Sequence, residues 1–382
     1  MILHITNDYS GSTVYMNLIK ELDKRGLTQV IYNPIRDQGR IGNNKIEFLQ
    51  NDSKIIYDYI LNKYGDRIFY RYKIAKIVKN IEAKIDLSQV KLIHAHTWYS
   101  DGGVAYLLSK RYNIPYIVAV RSTDMAFFFR YQIFSREFGR KILFSAANII
   151  HISKAYYDRF VNLLKSSVID RIKDKIKVVP NGIDDFWLNN MCQKKENDGK
   201  LSLIYVGSFV SRKNVKLIQK SVIFLNQKLG VNVFLNVVGD GGSDKKEVVE
   251  VCQQFPQYFK YHGAVRDKGH LLSLYRQCLF FIMPSINETF GLVYIEALSQ
   301  GLPIIYTAND GIDGFYGAEI GERVEKPLSV GKLVQAILVL LDDYEKYEID
   351  KNILITNHKW RNISKRYTGL YNRVLKSSQF SR

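Results

Sequence analysis

Between Pro284 and Pro303 the chain reads Pro-Ser-Ile-Asn-Glu-Thr-Phe-Gly-Leu-Val-Tyr-Ile-Glu-Ala-Leu-Ser-Gln-Gly-Leu-Pro, and its two acids, Glu288 and Glu296, stand eight positions apart. Eight residues are close to two helical turns, so a helix through this stretch would hold both carboxylates on one side. The apolar run 279–283 ahead of it has the composition of a buried parallel strand ending in a loop, and Gly291 marks the predicted helix start. Strand, loop and helix N-terminus in that order make an anion site. Backbone N–H groups at Thr289, Phe290, Gly291 and Leu292 are placed to hold a phosphate, and the flanking carboxylates to accept hydroxyls from a sugar. The plain alternative is that both acids merely stabilise the first turns of a helix, by about 0.3–1 kcal/mol each.

Open α/β sheets bind ligands outside the carboxyl ends of their strands, so other residues that directly follow strands are read the same way. After the predicted strand 203–206 comes Gly207-Ser-Phe-Val-Ser-Arg-Lys-Asn, which sets Arg212 and Lys213 just ahead of a predicted helix. Taken alone, such a pair at a helix start is a solvated pair. After 231–238 comes Gly239-Asp240-Gly241-Gly242, where glycines let backbone approach a planar ligand, or simply form a turn. In the first half, Tyr9-Ser-Gly-Ser-Thr follows the first strand and opens a helix, and Val120-Arg-Ser-Thr-Asp follows another strand.

These segments, in this order, resemble the donor- and acceptor-side motifs of the retaining GT-B glycosyltransferases of glycosyltransferase family four, also called glycosyl transferases group one. The resemblance implies that Glu288 holds donor-sugar hydroxyls, Glu296 the nucleotide ribose and the 289–292 amides the diphosphate. Lys213 takes the place of the diphosphate-binding lysine, with Arg212 beside it and Gly207 at the head of the loop. Gly239 and Asp240 lie beside the nucleotide, and His262-Gly263-Ala264-Val265-Arg266 is similar to the segment that meets the base, which assigns Val265 and Arg266 there. Gly11 and Ser12 face the donor phosphates, with Ser12 where the family often has a second Gly. Ser208 stands where the family often has Arg. Arg121 and Asp124 fall on the acceptor side, and because Arg121 replaces a His, it is assigned to an anionic acceptor or donor group. Val178-Val-Pro-Asn-Gly-Ile-Asp matches the family's Pro-Asn-Gly-Val-Asp element with one conservative change.

The implied fold is α/β, two Rossmann-like doubly wound domains facing across a cleft. Residues 1–192 form the acceptor side, completed by a returning helix at 358–382, and 200–357 bind the nucleotide sugar. The implied reaction is retaining transfer from a nucleotide diphosphate sugar, a substrate rather than a cofactor, to a glycan or lipid-linked acceptor in surface polysaccharide biosynthesis. An epimerase or phosphorylase on the same fold, and a non-catalytic basic nucleic-acid binder, are the alternatives.

The elements that must position these residues alternate as an α/β chain requires. Strands are predicted at 2–6, 29–32, 92–95, 116–120, 149–152 and 177–179, then at 203–206, 231–238, 279–283 and 303–306. Helices are predicted at 13–24, 103–110, 135–146, 215–227, 245–252, 268–275 and 291–299, and the run 359–375 is similar to the returning helix that the resemblance implies. The polar run 193–200 is the linker candidate. At 382 residues two domains are the default, and 46% hydrophobic content supplies two cores.

Cys192, Cys252 and Cys278 are odd in number and lack ligand spacing, which fits a reducing compartment, and the first residues read as a strand rather than a leader, so a cytoplasmic protein is expected. No metal is expected: His94 and His96 share a strand face, but no third ligand stands in recognisable spacing. The net charge of +18 calls for an anionic partner. Basic residues interleaved with rings at 67–76, 127–131 and 136–141 suit the inner membrane surface, a plain solvated helix face, or stacking on nucleobases. Peripheral membrane contact, and no nucleic acid, is the expectation.

Overall fold

A computed structural model describes residues 1–62, 65–129, 135–194, 196, 201–316, 320–348 and 350–379. The chain divides into two compact units: Met1–Ile152, Tyr157–Gly182 and Trp360–Arg382 form the first, Ser153–Tyr156 and Ile183–Lys359 the second. Of the polar run 193–200, residues 193, 194 and 196 fall in the second unit, and 195 and 197–200 lie outside the described residues. Packing rather than polarity sets the boundary. Gly182 lies against the Trp360 indole so closely that a Cβ would come within 2.6 Å of the ring, which ties the chain to the first unit up to that point.

The first unit is a seven-stranded parallel sheet: β1 (Ile2–Ile5), β2 (Gln29–Ile35), β3 (Lys54–Tyr59), β4 (Leu92–Ala95), β5 (Tyr116–Ala119), β6 (Asn148–His151) and β7 (Ile176–Val178), in the order β3-β2-β1-β4-β5-β6-β7. The second is a six-stranded parallel sheet: β8 (Leu201–Val206), β9 (Val233–Val238), β10 (Phe259–Gly263), β11 (Phe280–Ile282), β12 (Ile304–Thr307) and β13 (Gly321–Val324), in the order β10-β9-β8-β11-β12-β13. Both are doubly wound, as the α/β reading requires. The strand order reverses between β1 and β4 in the first sheet and between β8 and β11 in the second. At such a reversal the two flanking loops splay to opposite faces and leave a crevice at the carboxyl edge.

The last helix, Trp360–Gln379, belongs to the first unit although most of the chain separates it from β1. Trp360, Ile363, Tyr367, Leu370, Tyr371 and Val374 recur at three- and four-residue steps and bury one stripe against Ile2, Leu18, Leu22, Leu92, Ile117, Ile150 and Val179. Arg25 fastens its start, donating from Nε to Ser364 Oγ at 2.7 Å. Among the described residues no helix is long and apolar enough to cross a membrane. Phe69 and Tyr72 are about two-thirds exposed, and Arg71 between them lays its guanidinium over Phe138 at 4.4 Å. Of the other basic-aromatic segments, 130–131 lie outside the described residues.

Candidate functional site

The loops that follow β8 and β11 meet at the reversal point of the second sheet. Ile286 N–H donates to Arg212 O at 2.7 Å, and Asn214 Nδ2 to Pro284 O at 2.7 Å. Asn214 sits in the left-handed region (φ 55) and turns the chain into the helix Val215–Lys228, which leaves Arg212 and Lys213 at the loop's crest. With the backbones stitched together, Arg212 Nη1 reaches Glu288 Oε2 at 3.1 Å. Glu288 also accepts from Ser285 Oγ at 3.4 Å and from the Thr289 N–H at 3.2 Å. Lys213 is half-buried and feels Glu288; burial lowers its pKa, the carboxylate opposes that, and Arg212 adds to the lowering.

Glycine is required where the ammonium and the backbones crowd. A Cβ on Gly207 would stand 2.7 Å from Lys213 Nζ, and one on Gly239, at φ 142, only 1.9 Å from Gly207 O. Gly207 N–H donates to Val238 O and Gly239 N–H to Gly263 O, so the ends of β8, β9 and β10 step side by side along the carboxyl edge. Asp240 is exposed at the rim, accepting from Gly241 N–H at 2.7 Å and pairing with Lys245 at 2.6 Å; this hydrogen bonding depresses its pKa. Val265 and Arg266 lie in the loop after β10, and neither is buried.

The helix expected from Gly291 runs Leu292–Ser299, with Gly291 as its N-cap in the left-handed region (φ 79). Glu288 therefore lies in the preceding loop and not on the helix, and the two-turn spacing does not bring the two acids onto one face. Each has its own neighbours: Glu288 faces Arg212 and Lys213, whereas Glu296 lies near Asp184 and Lys268. Burial pushes the Glu296 carboxyl up to about 7, Asp184 adds to the rise, and Lys268 opposes it. Of the four proposed amides, Thr289 N–H is engaged by its neighbour Glu288. Phe290, Gly291 and Leu292 stand at or ahead of the first turn, where a helix leaves N–H groups without intrahelical acceptors. The Phe290 ring is an anchor, buried against Phe315 and His358 at 5.5 and 5.4 Å.

Asp310, missed in the sequence, fixes this loop by accepting from Asn287 N–H at 2.7 Å while paired with Lys326 at 3.1 Å. Its signal was its place just after an apolar strand run, the position that exposed the other loops.

In the first unit, Gly11 ends a tight turn (Tyr9–Gly11) against the Asp8 carboxylate, and Ser12 caps the helix Thr13–Asp23, its Oγ accepting from Val14 N–H at 3.4 Å. Asp124, assigned from the resemblance to the acceptor side, is instead buried, at 1% exposure. Its carboxylate accepts from the N–H groups of Trp98, Tyr99 and Arg121 at 2.9, 3.0 and 2.8 Å, so it ties the loops after β4 and β5 together and presents nothing to a ligand.

The third histidine absent from the spacing argument is His4, the register partner of His94 across β1 and β4. His4, His94 and His96 are fully buried, with one ring nitrogen of each within 4.8 Å of the others. The rings pack as a stack, His94 on His96 at 3.9 Å, and Tyr371 of the closing helix bonds His94 Nδ1 at 2.8 Å. Only the sheet register reveals this cluster, because β1 and β4 are distant in sequence.

Burial holds these imidazoles and that of His151 neutral, with His4 and His151 pushed down to about 3. In the unfolded chain they protonate near 6.5. The stability they contribute is thus present above pH 6.5 and drains away as pH falls from 6.5 towards 3; Asp124, raised by burial to about 6, works the other way. Neither ring nitrogen of His151 has a hydrogen-bond partner among the described residues. The substitution His151→Leu is therefore expected to raise the melting temperature at pH 5 and to flatten the acid limb of a melting-temperature profile. An unchanged limb would remove His151 from the account.

Two family models divide the chain between them: "Glycosyltransferase Family 4" matches residues 11–185 and "Glycosyl transferases group 1" residues 189–353. An uncharacterized glycosyltransferase of Methanocaldococcus jannaschii is 29% identical over 257 residues, 65% of this chain and 66% of that protein, just under two thirds of its length. A putative teichuronic acid biosynthesis glycosyltransferase of Bacillus subtilis, TuaC, is 26% identical over 300 residues, 72% of this chain and 71% of that one. Among solved structures, the Anabaena protein HepE in complex with UDP superposes with a TM-score of 0.68 at 14% identity, covering 97% of this chain and 99% of that one.

Proposed function

Since the chain belongs to the GT4-type glycosyltransferases of GT-B architecture, we propose that it moves a sugar, with retention at the anomeric carbon, from a nucleotide diphosphate sugar to a glycan or lipid-linked acceptor of a surface polysaccharide. One observation carries this reading: at the strand-order reversal of the second sheet, Arg212, Lys213 and Glu288 come together from loops 76 residues apart. Cations and a carboxylate there can bind a diphosphate and sugar hydroxyls side by side. The UDP bound in the Anabaena neighbour supports a nucleotide donor, and the teichuronic acid biosynthesis assigned to the Bacillus relative supports a polysaccharide product.

In the proposed reaction the bond between the anomeric carbon and the diphosphate oxygen lengthens, and negative charge gathers on that oxygen. Lys213, Arg212 and the N-terminus of Leu292–Ser299 offset it, while Glu288 keeps the sugar in line. The acceptor hydroxyl attacks the same face, and its proton passes to the departing phosphate. The donor is a substrate, and no cofactor or metal is assigned. Exposed Phe69 and Tyr72 beside Arg71 support peripheral contact with the inner membrane face.

The test is a panel of UDP-, GDP- and ADP-sugars scored by thermal stabilisation, since a ligand that binds only the native state at about 100 times its Kd adds about 2.7 kcal/mol. Product anomeric configuration by NMR then checks retention. An inverted product would overturn the retaining mechanism, and stabilisation by none of the panel would overturn the donor class. Glu296 supplies a pH signature. As a ribose-hydroxyl acceptor it must be ionised, and with its pKa at about 7 nucleotide affinity should fall as pH drops through 7. Titration calorimetry at pH 6 and pH 8 should show the loss in the wild type, and Glu296→Gln should weaken the difference; an identical pH response in that variant would refute the role.

A further inference from the structure

The reversal point of the first sheet holds a cation that the donor chemistry leaves unused. Arg121 follows β5, and its side chain crosses to the end of β4, where Nε–H donates to His96 O at 3.3 Å. Its backbone N–H donates to the Asp124 carboxylate at 2.8 Å, and its guanidinium carbon stands 6.0 Å from the Tyr15 ring on the helix that follows β1. It therefore reaches the β1/β4 crevice, held by its backbone and by Nε. Among the described residues the two terminal nitrogens have no acceptor. The planar end of a half-buried guanidinium is thus held in place with its fork open.

The charge is left over as well. The imidazoles around it, His4, His94, His96 and His151, are neutral in the fold. The Asp124 carboxylate is turned to three backbone N–H groups, Asp101 has Lys73 as its counter-charge, and Asp8 pairs with Arg40. A guanidinium in this state matches a planar anion through two parallel N–H groups. A neutral sugar in the same place would leave it desolvated and unpaired.

We propose that Arg121 makes this chain selective for an acidic sugar, binding the carboxylate of a uronic acid two-pronged in the β1/β4 crevice. The inference rests on the glycosyl-transfer reading above. One guanidinium neutralises one negative charge, which favours a carboxylate over a dianionic phosphate monoester. The same carboxylate can arrive on the transferred sugar or on the acceptor, and the two sources are separable.

The test uses the full chain and titration calorimetry. The donor arm compares UDP-glucuronate with UDP-glucose and GDP-mannuronate with GDP-mannose; the acceptor arm compares methyl glucuronide with methyl glucoside in the presence of UDP or GDP. In one arm the acidic member is expected to bind about tenfold tighter or more, the gain of a charge-assisted hydrogen-bonded pair. Arg121→Gln should erase that preference while leaving the melting temperature of the unliganded protein in place. Arg121→Lys, which keeps the charge and loses the fork, should reduce the preference, and it serves if the glutamine variant does not fold. Equal binding of acidic and neutral members in both arms, or a preference that survives in Arg121→Gln, would overturn the proposal. If UDP, GDP and ADP all fail to bind, the transfer reading itself falls; nucleotide binding without an acidic preference removes this inference alone.

Discussion

Lys213→Ala is expected to lower turnover by about 10²- to 10³-fold, the cost of removing one preorganised donor from a developing oxyanion. The ammonium lies over Gly207, where nothing larger than hydrogen leaves room for it, and beside Glu288. Both features hold the charge in position before any substrate arrives. The loss should appear in kcat more than in KM, because charge on the leaving oxygen is greatest in the transition state. The fold should survive: Lys213 is half-buried, and the loop around it is held by the Ile286 N–H donating to Arg212 O and by the Asn214 side chain donating to Pro284 O, which the substitution leaves untouched. Glu288→Ala should likewise remove donor turnover without unfolding, since its partner Arg212 is 47% exposed and remains hydrated. A folded Lys213→Ala enzyme with wild-type kcat would end the leaving-group role.

Ending the chain after Lys359 is expected to unfold the first unit while the second keeps its structure. The missing helix buries six large apolar side chains, none more than 5% exposed, against β1, β4, β5 and β6. At about 1.5–3 kcal/mol each they account for roughly 9–18 kcal/mol. That is comparable with the whole stability of a typical domain, about 5–15 kcal/mol. Hydrogen exchange reads the outcome directly: amides of β1, β4 and β5 should exchange at unfolded rates, while those of β8 and β9 stay protected. Protection retained in β1 would show that the first unit stands without its last helix. The milder Trp360→Ala should cost about 3–5 kcal/mol, as for a buried aromatic truncated in a packed core.

The sequence by itself determined the α/β class, the interior strands and the loops that follow their carboxyl ends. Buried parallel strands are continuous apolar runs, and the residues just after them are read off without knowing what they touch. The three strands not predicted, β3, β10 and β13, are all at sheet edges. There one flank meets solvent, and runs such as Lys-Ile-Ile-Tyr-Asp-Tyr and Gly-Glu-Arg-Val lose the uniform apolar signature.

Only the tertiary structure decided what each polar group faces. It set Glu288 in a loop with Arg212 and left Glu296 to other neighbours. It turned Asp124 inward onto three amides, added His4 to His94 and His96 through sheet register, and left the fork of Arg121 open. Spacing along the chain governs local geometry, whereas charge pairing, desolvation and register depend on segments tens to hundreds of residues apart meeting in space. The same reason places the last helix in the first unit: its apolar stripe is visible in the sequence, but the surface that buries it exists only after β1, β4, β5 and β6 have paired.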